Sequence, residues 1–252
     1  MNENKFSGKS DVYGKGRPSY PDELFKYLNR EGYINTNTVA ADIGSGTGIF
    51  SRQLSEYASK VYAVEPNDDM RAAAEKSMTD YGNIISVCGN SDNTGLGNHS
   101  VDIVTAAQAF HWFNRQSFKN ECMRILKKDG IVILVWNDRD TSSEVISRNF
   151  EVNRRYCANF KGSSNGMDFE NETFSDFFDG EVKKMEFENN LIYDYETFIL
   201  RNASSSYAPK KGKENYISYV DELKNIFDAC SSNGRLVYPY ITRCYIGKCG
   251  KK

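Results

Sequence analysis

Several protein classes are excluded by features that this sequence lacks. No apolar run approaches the roughly 20 residues that span a bilayer, and the first residues lead into no apolar segment of the kind found in signal peptides. Charge of one sign is also missing, because 32 basic residues nearly balance 34 acidic ones. The chain therefore has no global field that would attract a nucleic-acid backbone. We expect a soluble, cytoplasmic protein that acts neither at a membrane nor on nucleic acid.

Metal-binding and disulfide patterns are missing as well. The six cysteines form no C-x-x-C pair, and only two histidines are present to join them. This spacing favours neither a zinc site nor a disulfide framework. We expect no bound metal and free cysteine thiols.

Short apolar runs and amphipathic stretches alternate in the first half of the chain. A buried parallel strand appears in sequence as such a run, and the alternation favours a doubly wound parallel sheet. The predicted strands are residues 39–43, 60–65, 84–88, 101–107 and 131–136. The predicted helices between them are residues 49–58, 66–81 and 114–128, the last ended by Asp129-Gly130. Ligands of such sheets bind at the carboxyl ends of the strands.

The alternation stops after Asn137. Residues 143–180 have a helical pattern with a polar interruption, and residues 182–193 are predicted to form one long strand. Helices near 195–202 and 214–231 follow, and then an alternating stretch at 236–248. At 252 residues the chain fits one α/β domain with a cover, or at most two small domains, and we expect one.

Three glycines at alternate positions follow the first predicted strand. Asp42 ends this apolar run, and Gly44, Gly46 and Gly48 come next. Glycines allow a sharp turn and a close approach to a ligand, because they have no Cβ. A dinucleotide site has the spacing G-x-G-x-x-G, whereas Ile49-Phe50 here replaces its third small residue. The spacing therefore argues against a pyrophosphate ligand.

An acid also ends the second predicted strand. Glu65 lies about twenty residues beyond the glycines, where a carboxylate can accept hydrogen bonds from a ribose diol. Nicotinamide enzymes use the same device, so Glu65 indicates a ribose without identifying the cofactor.

Two further segments join the glycine turn in a family resemblance. With Asp42 before it, the turn resembles motif I of the class I S-adenosylmethionine-dependent methyltransferases. Residues 107–113 resemble the A-x-x-x-H-W-F segment of type-11 methyltransferases, including relatives of trans-aconitate methyltransferase, and residues 13–21 resemble the entrance of the same proteins. The resemblance implies a Rossmann-like, mainly parallel, seven-stranded sheet with the last strand antiparallel and a helical cover. We expect a single domain with a lid at 1–30, a cofactor-binding core at 36–137 and the cover and final strands at 138–252.

The resemblance also implies a set of cofactor-binding residues. The glycine turn would hold the amino-acid end of S-adenosylmethionine, Asn90 would accept a hydrogen bond from the adenine amino group, and the Ser91 amide would meet the ring. Met70 would pack on the adenine face, or else in the core. The full set is Asp42, Gly44, Ser45, Gly46, Glu65, Pro66, Met70, Asn90, Ser91, Ala107 and Gln108.

Other residues are expected on the substrate side. His111 is a candidate general base, since an unperturbed imidazole has a pKa near 6.5; the alternative is a role in shaping the site. Tyr13, Arg17 and Tyr20 would form a lid, and Trp112 and Arg201 would face the substrate. Arg17 or Arg201 could attract an anionic substrate.

These residues predict a methyltransferase that transfers a methyl group from S-adenosylmethionine to a small-molecule acceptor by in-line displacement. Two alternatives stay open. One is a non-catalytic S-adenosylmethionine-binding regulatory protein, because no catalytic residue is certain from sequence. The other is a nucleotide-dependent oxidoreductase, which Glu65 favours and the glycine spacing opposes.

Overall fold

The computed structural model describes residues 18–162, 166–169, 171–205 and 207–250. The helices there are α1 (Asp22–Arg30), α2 (Ile49–Ser55), α3 (Asp68–Ser77), α4 (Arg115–Ile125), α5 (Glu144–Tyr156), α6 (Tyr195–Ala203) and α7 (Tyr216–Cys230). The strands are β1 (Val39–Ile43), β2 (Lys60–Val64), β3 (Ile84–Val87), β4 (Val101–Ala107), β5 (Leu126–Arg139), β6 (Lys183–Glu188), β7 (Leu191–Tyr193), β8 (Leu236–Tyr238) and β9 (Tyr240–Gly247). A short 3-10 helix spans Phe110–Trp112.

Seven of the strands form one sheet in the order β3-β2-β1-β4-β5-β9-β6. The first five strands are parallel neighbours, and the sheet contains one antiparallel strand, the last. The predicted fold class is confirmed. The strand order reverses between β1 and β4, so their carboxyl ends border the crevice where open α/β sheets bind ligands.

The chain divides into two compact units. The first comprises the described parts of Met1–Trp136, Asp168–Phe187 and Thr242–Lys252, and the second comprises those of Asn137–Met167 and Glu188–Ile241. The single domain expected from the sequence stays a prediction.

Each unit has its own apolar core. In the first unit, Leu24 of α1 and Phe50 of α2 are buried in one cluster with Ile103 and Val135 of the sheet. In the second unit, helices α5, α6 and α7 and the antiparallel pair of β7 and β8 enclose a cluster that includes Tyr219. Burial of apolar surface is the main favourable contribution to folding.

The segment between α4 and the central part of β5 differs from the prediction. Helix α4 ends at Ile125, and Asp129-Gly130 lies inside β5 instead of ending a helix. Leu126 pairs with Val101, and after a shift in register Ile131 pairs with Ile103. Pairing with β4 therefore overrides the local stop signal. A Cβ at Gly130 would lie 2.7 Å from Leu126 Cδ2, so this irregular segment needs a glycine.

The boundaries in the second half also differ from the prediction. Among the described residues of the segment 143–180, one long helix is present, Glu144–Tyr156. The expected strand at 182–193 is instead two strands, which belong to different sheets. The final alternating stretch is divided at Pro239, which has no N–H group to donate to a sheet. Helices α6 and α7 confirm the predicted ones.

Replacing Gly130 by alanine should destabilise the first unit by about 1–3 kcal/mol, because the new methyl group overlaps Leu126. Urea unfolding measures the change. Gly97→Ala is the matched control, since the nearest atom to a Cβ there is 3.9 Å away. Equal unfolding midpoints for the two variants would show that the packing at Gly130 is not tight.

Candidate active site

The carboxyl ends of β1 and β2 are joined by backbone hydrogen bonds. The amides of Gly44 and Ser45 donate to the Val64 carbonyl at 2.8 and 3.1 Å. The Gly46 amide donates to Glu65 Oε2 at 3.0 Å. The structure thus brings the glycine turn and the acid of the second strand together, as the sequence predicts.

All three glycines of the turn have left-handed backbone conformations, with φ of 71° at Gly44, 57° at Gly46 and 77° at Gly48. A Cβ at Gly44 would lie 2.7 Å from Ala109 Cβ, and one at Gly48 would lie 2.8 Å from Met78 Sδ. These two glycines are required for packing. A Cβ at Gly46 would meet nothing within 4 Å among the described residues, so Gly46 borders open space.

Asp42 lies beneath this turn and is only 1% exposed. Ser51 Oγ donates to one carboxylate oxygen at 2.6 Å, and Thr105 Oγ1 donates to the other at 2.9 Å. These bonds connect β1 to α2 and β4. Burial raises the pKa of Asp42 to about 6, with a smaller contribution from Glu65, while the two hydroxyl groups oppose the shift. A direct contact of Asp42 with a cofactor stays a prediction.

Glu65 is held in a fixed orientation by two backbone amides. Besides the bond from Gly46, the Asn67 amide donates to Glu65 Oε1 at 2.9 Å. Asn67 is the N-cap of α3 and accepts from the Met70 amide at 3.0 Å. A carboxylate with a fixed orientation suits recognition of a ribose diol, because both oxygens can accept hydrogen bonds.

Ser45 provides the clearest sign of a ligand. Its hydroxyl oxygen is buried and has no hydrogen-bond partner among the described residues. Buried polar groups in native proteins are nearly always hydrogen-bonded. A polar ligand group at the turn would satisfy this hydroxyl.

Pro66 and Met70 continue from Glu65 into α3. Pro66 accepts a long hydrogen bond of 3.4 Å from Arg71 Nη1 on its carbonyl, and Met70 is 3% exposed. Helix α3 begins at Asp68, two residues after the proline that was predicted to open it. The contact of Met70 with adenine stays a prediction.

The loop after β3 is held together by the Asn90 side chain. Asn90 Oδ1 accepts from the amides of Asp92 and Asn93, both at 2.9 Å. The contact of Asn90 with an adenine amino group stays a prediction. Ser91 is 1% exposed, and its hydroxyl donates to Asp92 at 2.8 Å. The Asn90 side chain shapes the loop.

The end of β4 contains a strained residue. Ala107 is the last residue of this strand, and Gln108 follows with φ of 56°. The Gln108 amide donates to the Val135 carbonyl at 2.8 Å. Non-glycine residues in this conformation cost free energy and cluster at functional sites. The strain supports the expected involvement of this segment in binding.

His111 is oriented by Trp136, a residue that the sequence analysis missed. Trp136 Nε1 donates to His111 Nδ1 at 3.2 Å. Indole N–H is only a donor, so Nδ1 is the acceptor and the neutral imidazole carries its proton on Nε2. This bond favours the shaping role over that of a general base, which stays a prediction. The sequence signal that could have identified Trp136 is its position at the end of the fifth predicted strand.

The expected substrate-side residues lie in different places. Tyr20 is 6% exposed and packs edge-on against Phe50, with 4.9 Å between ring centroids. The Tyr20 ring belongs to the core, and its lid role stays a prediction. The Trp112 ring is partly exposed beside His111, with a centroid distance of 4.9 Å. Arg201 is in the second unit, and Tyr13 and Arg17 lie outside the described residues.

Residues 41–134, which contain the glycine turn, Glu65 and His111, match the family model described as "Methyltransferase domain". This part of the chain is therefore similar to methyltransferase domains. This finding confirms the family resemblance and makes S-adenosylmethionine the implied cofactor.

Two relatives and a solved structure are also similar to this chain. An uncharacterized methyltransferase of Schizosaccharomyces pombe is 26% identical over 94% of each chain. An uncharacterized methyltransferase-like protein of the same yeast is 31% identical, and the match covers 59% of this chain and 58% of the relative. A solved structure from Anaeromyxobacter dehalogenans, provisionally named a type II methyltransferase, has a TM-score of 0.65 at 19% identity and covers 94% of this chain and 99% of its own.

Two features are absent from the described part of the chain. Its His, Cys, Asp and Glu side chains form no group of three or more that could hold a metal ion. None of its helices is long and apolar enough to cross a membrane. The six cysteines are free thiols, as predicted.

The raised pKa of Asp42 predicts a pH-dependent stability. Since the folded-state pKa of about 6 exceeds the usual aspartate value of 3.8, ionisation destabilises the fold as the pH rises through this range. Asp42→Asn should therefore gain up to about 3 kcal/mol over the wild type between about pH 4 and pH 7. Urea unfolding at several pH values measures this difference. A difference between Asp42→Asn and the wild type that stays constant with pH would contradict the pKa shift.

Gly46→Ala should weaken binding of S-adenosylhomocysteine by about tenfold or more, because the methyl group enters the open space at the turn. The cost to the fold should be about 1–2 kcal/mol. Gly32→Ala is a matched control, since Gly32 has φ of 77° and nothing within 4 Å of a Cβ. Calorimetric titration and thermal unfolding separate the two effects. Equal affinities in the two variants would show that Gly46 does not border the ligand.

Proposed function

We propose that this methyltransferase transfers the methyl group of S-adenosylmethionine to a small-molecule acceptor. The observation that carries the proposal is the pairing of a backbone-fixed Glu65 carboxylate with a glycine turn whose Ser45 hydroxyl has no partner among the described residues. These groups fit the two polar ends of the cofactor. The nearly balanced charge of the chain supports a small acceptor over a nucleic acid.

The residues of the turn would divide the binding of the cofactor among them. Glu65 accepts hydrogen bonds from the ribose diol, and Ser45 donates to or accepts from the amino-acid end. Gly46 leaves room for the ligand because it has no side chain. When bound, the cofactor supplies an activated methyl group on its sulfonium.

Alignment and exclusion of water are then the main tasks of the protein. Proximity and orientation can supply most of the rate acceleration when the transferred group is already activated. An acceptor carboxylate needs no proton removed, whereas a hydroxyl or ammonium acceptor does. With its proton on Nε2, His111 would act as a hydrogen-bond donor that positions the acceptor.

The packing at the start of α2 opposes the oxidoreductase alternative. Phe50 is 3% exposed and contacts the rings of Tyr20 and Phe25. A dinucleotide site needs a small residue near this position for close helix packing. Phe50 therefore favours S-adenosylmethionine.

Glu65→Gln should bind S-adenosylhomocysteine about 10- to 100-fold more weakly than the wild type, because a charged hydrogen-bond acceptor is lost. Glu75→Gln is the control, since Glu75 is an exposed acid on α3 whose carboxylate accepts from the nearby Ser86. Calorimetric titration gives the affinities, and unfolding without ligand checks that the variants fold. Unchanged affinity in Glu65→Gln would remove the ribose role.

Methyl transfer is tested separately from binding. The wild type is incubated with labelled S-adenosylmethionine and a fractionated extract of small molecules. Label in a small-molecule fraction, absent with Glu65→Gln, supports the proposal. Tight cofactor binding with no transfer supports the non-catalytic alternative instead.

A further inference from the structure

The second unit contains two arginines that lack a carboxylate partner. Arg139 and Arg201 are half-buried, and the Nε atom of each is buried without a hydrogen-bond partner among the described residues. Neither forms a salt bridge there. By contrast, Arg148 and Arg155 of the same unit each pair with a glutamate at 2.8 Å.

Aromatic side chains surround both guanidinium groups. Arg139 lies over the Phe150 ring at 5.7 Å, and Arg201 lies over the rings of Tyr193 and Tyr240, each at 5.9 Å. Arg201 Nη2 donates to Tyr240 Oη at 3.1 Å. Stacking holds the planar groups in place without neutralising them.

The two arginines lie near the same phenol. Arg201 donates to Tyr240, and the Asp140 amide, one residue after Arg139, donates to the carbonyl of Pro239, one residue before Tyr240, at 3.1 Å. Burial alone would raise the pKa of Tyr240, but the two guanidinium groups lower it. Each arginine is also desolvated, and its electrostatic partners are mainly phenols. Two neighbouring, partly desolvated charges of one sign are unfavourable unless an anion joins them.

We propose that Arg139 and Arg201 bind an organic carboxylate in the second unit. The planar fork of a guanidinium matches a carboxylate in two parallel hydrogen bonds. The rings of Phe150, Tyr193 and Tyr240 favour a ligand with an apolar body over inorganic phosphate. Two guanidinium groups can pair with the two carboxylates of one dicarboxylate.

Succinate is the probe, with neutral succinamide and inorganic phosphate as comparison ligands. Calorimetric titration of the full chain, saturated with S-adenosylhomocysteine, should show succinate binding. Arg139→Gln and Arg201→Gln should each weaken it by about 10- to 100-fold, because each removes a charged hydrogen-bonding group. Arg201→Lys should give an intermediate loss, since it keeps the charge and loses the fork. Arg155→Gln, which removes a paired arginine, should match the wild type.

Controls separate this proposal from the proposed function and from misfolding. The affinity for S-adenosylhomocysteine should be unchanged in every variant, which shows that the cofactor site is intact. Where Arg139→Gln does not fold, Arg139→Met keeps the stem of the side chain without its charge. Failure of S-adenosylhomocysteine to bind the wild type would count against the proposed function alone.

Three results would overturn the carboxylate site. One is no succinate binding at about 10 mM ligand, a concentration that detects even weak association. Another is equal succinate affinity in the wild type and both glutamine variants. The third is binding of phosphate or succinamide as tightly as succinate.

Discussion

The carboxylate of Asp42 is the interaction on which the candidate site depends. It accepts from Ser51 on α2 and from Thr105 on β4, and thereby joins three elements beneath the glycine turn. Because it is buried, its ionised form is unfavourable, and only these hydroxyl groups compensate. The position of Gly46, and with it the hydrogen bond to Glu65, follows from this anchor.

The central strands of the first unit could be predicted from the sequence because β1, β4 and the later part of β5 are buried on both faces. Runs such as Val132–Trp136 contain little but apolar residues, and periodicity identifies them without tertiary information. The start of β5 could not be predicted. Residues 126–130 carry a helix-stop pattern, and only pairing with β4 makes them a strand. Local preference is a weak guide where tertiary contacts compete with it.

In the candidate site, the positions of residues along the chain could be predicted better than the contacts of their side chains. Glycine spacing and the position of Glu65 identified the turn, because backbone geometry limits which residues can stand there. The roles of Tyr20, Asn90 and His111 depend on where side chains point. The Tyr20 ring packs on Phe50, and the His111 ring accepts from Trp136; no spacing rule connects these pairs. Arg139 was missed for a similar reason. What distinguishes it is a buried Nε atom with no hydrogen-bond partner among the described residues, and the sequence does not show this.

The left-handed backbone at Gln108 has an implication for how this chain tolerates sequence change. Glycine would adopt φ of 56° at less cost, yet the chain has a long polar side chain there. The backbone at residue 108 therefore lowers the stability of the fold at a position that borders the ligand crevice. Such a cost is typical of a trade-off between stability and activity. Selection for thermal robustness alone would favour glycine at 108, and a chain altered in that way would lose the side-chain amide of a residue that the sequence predicts to bind the cofactor.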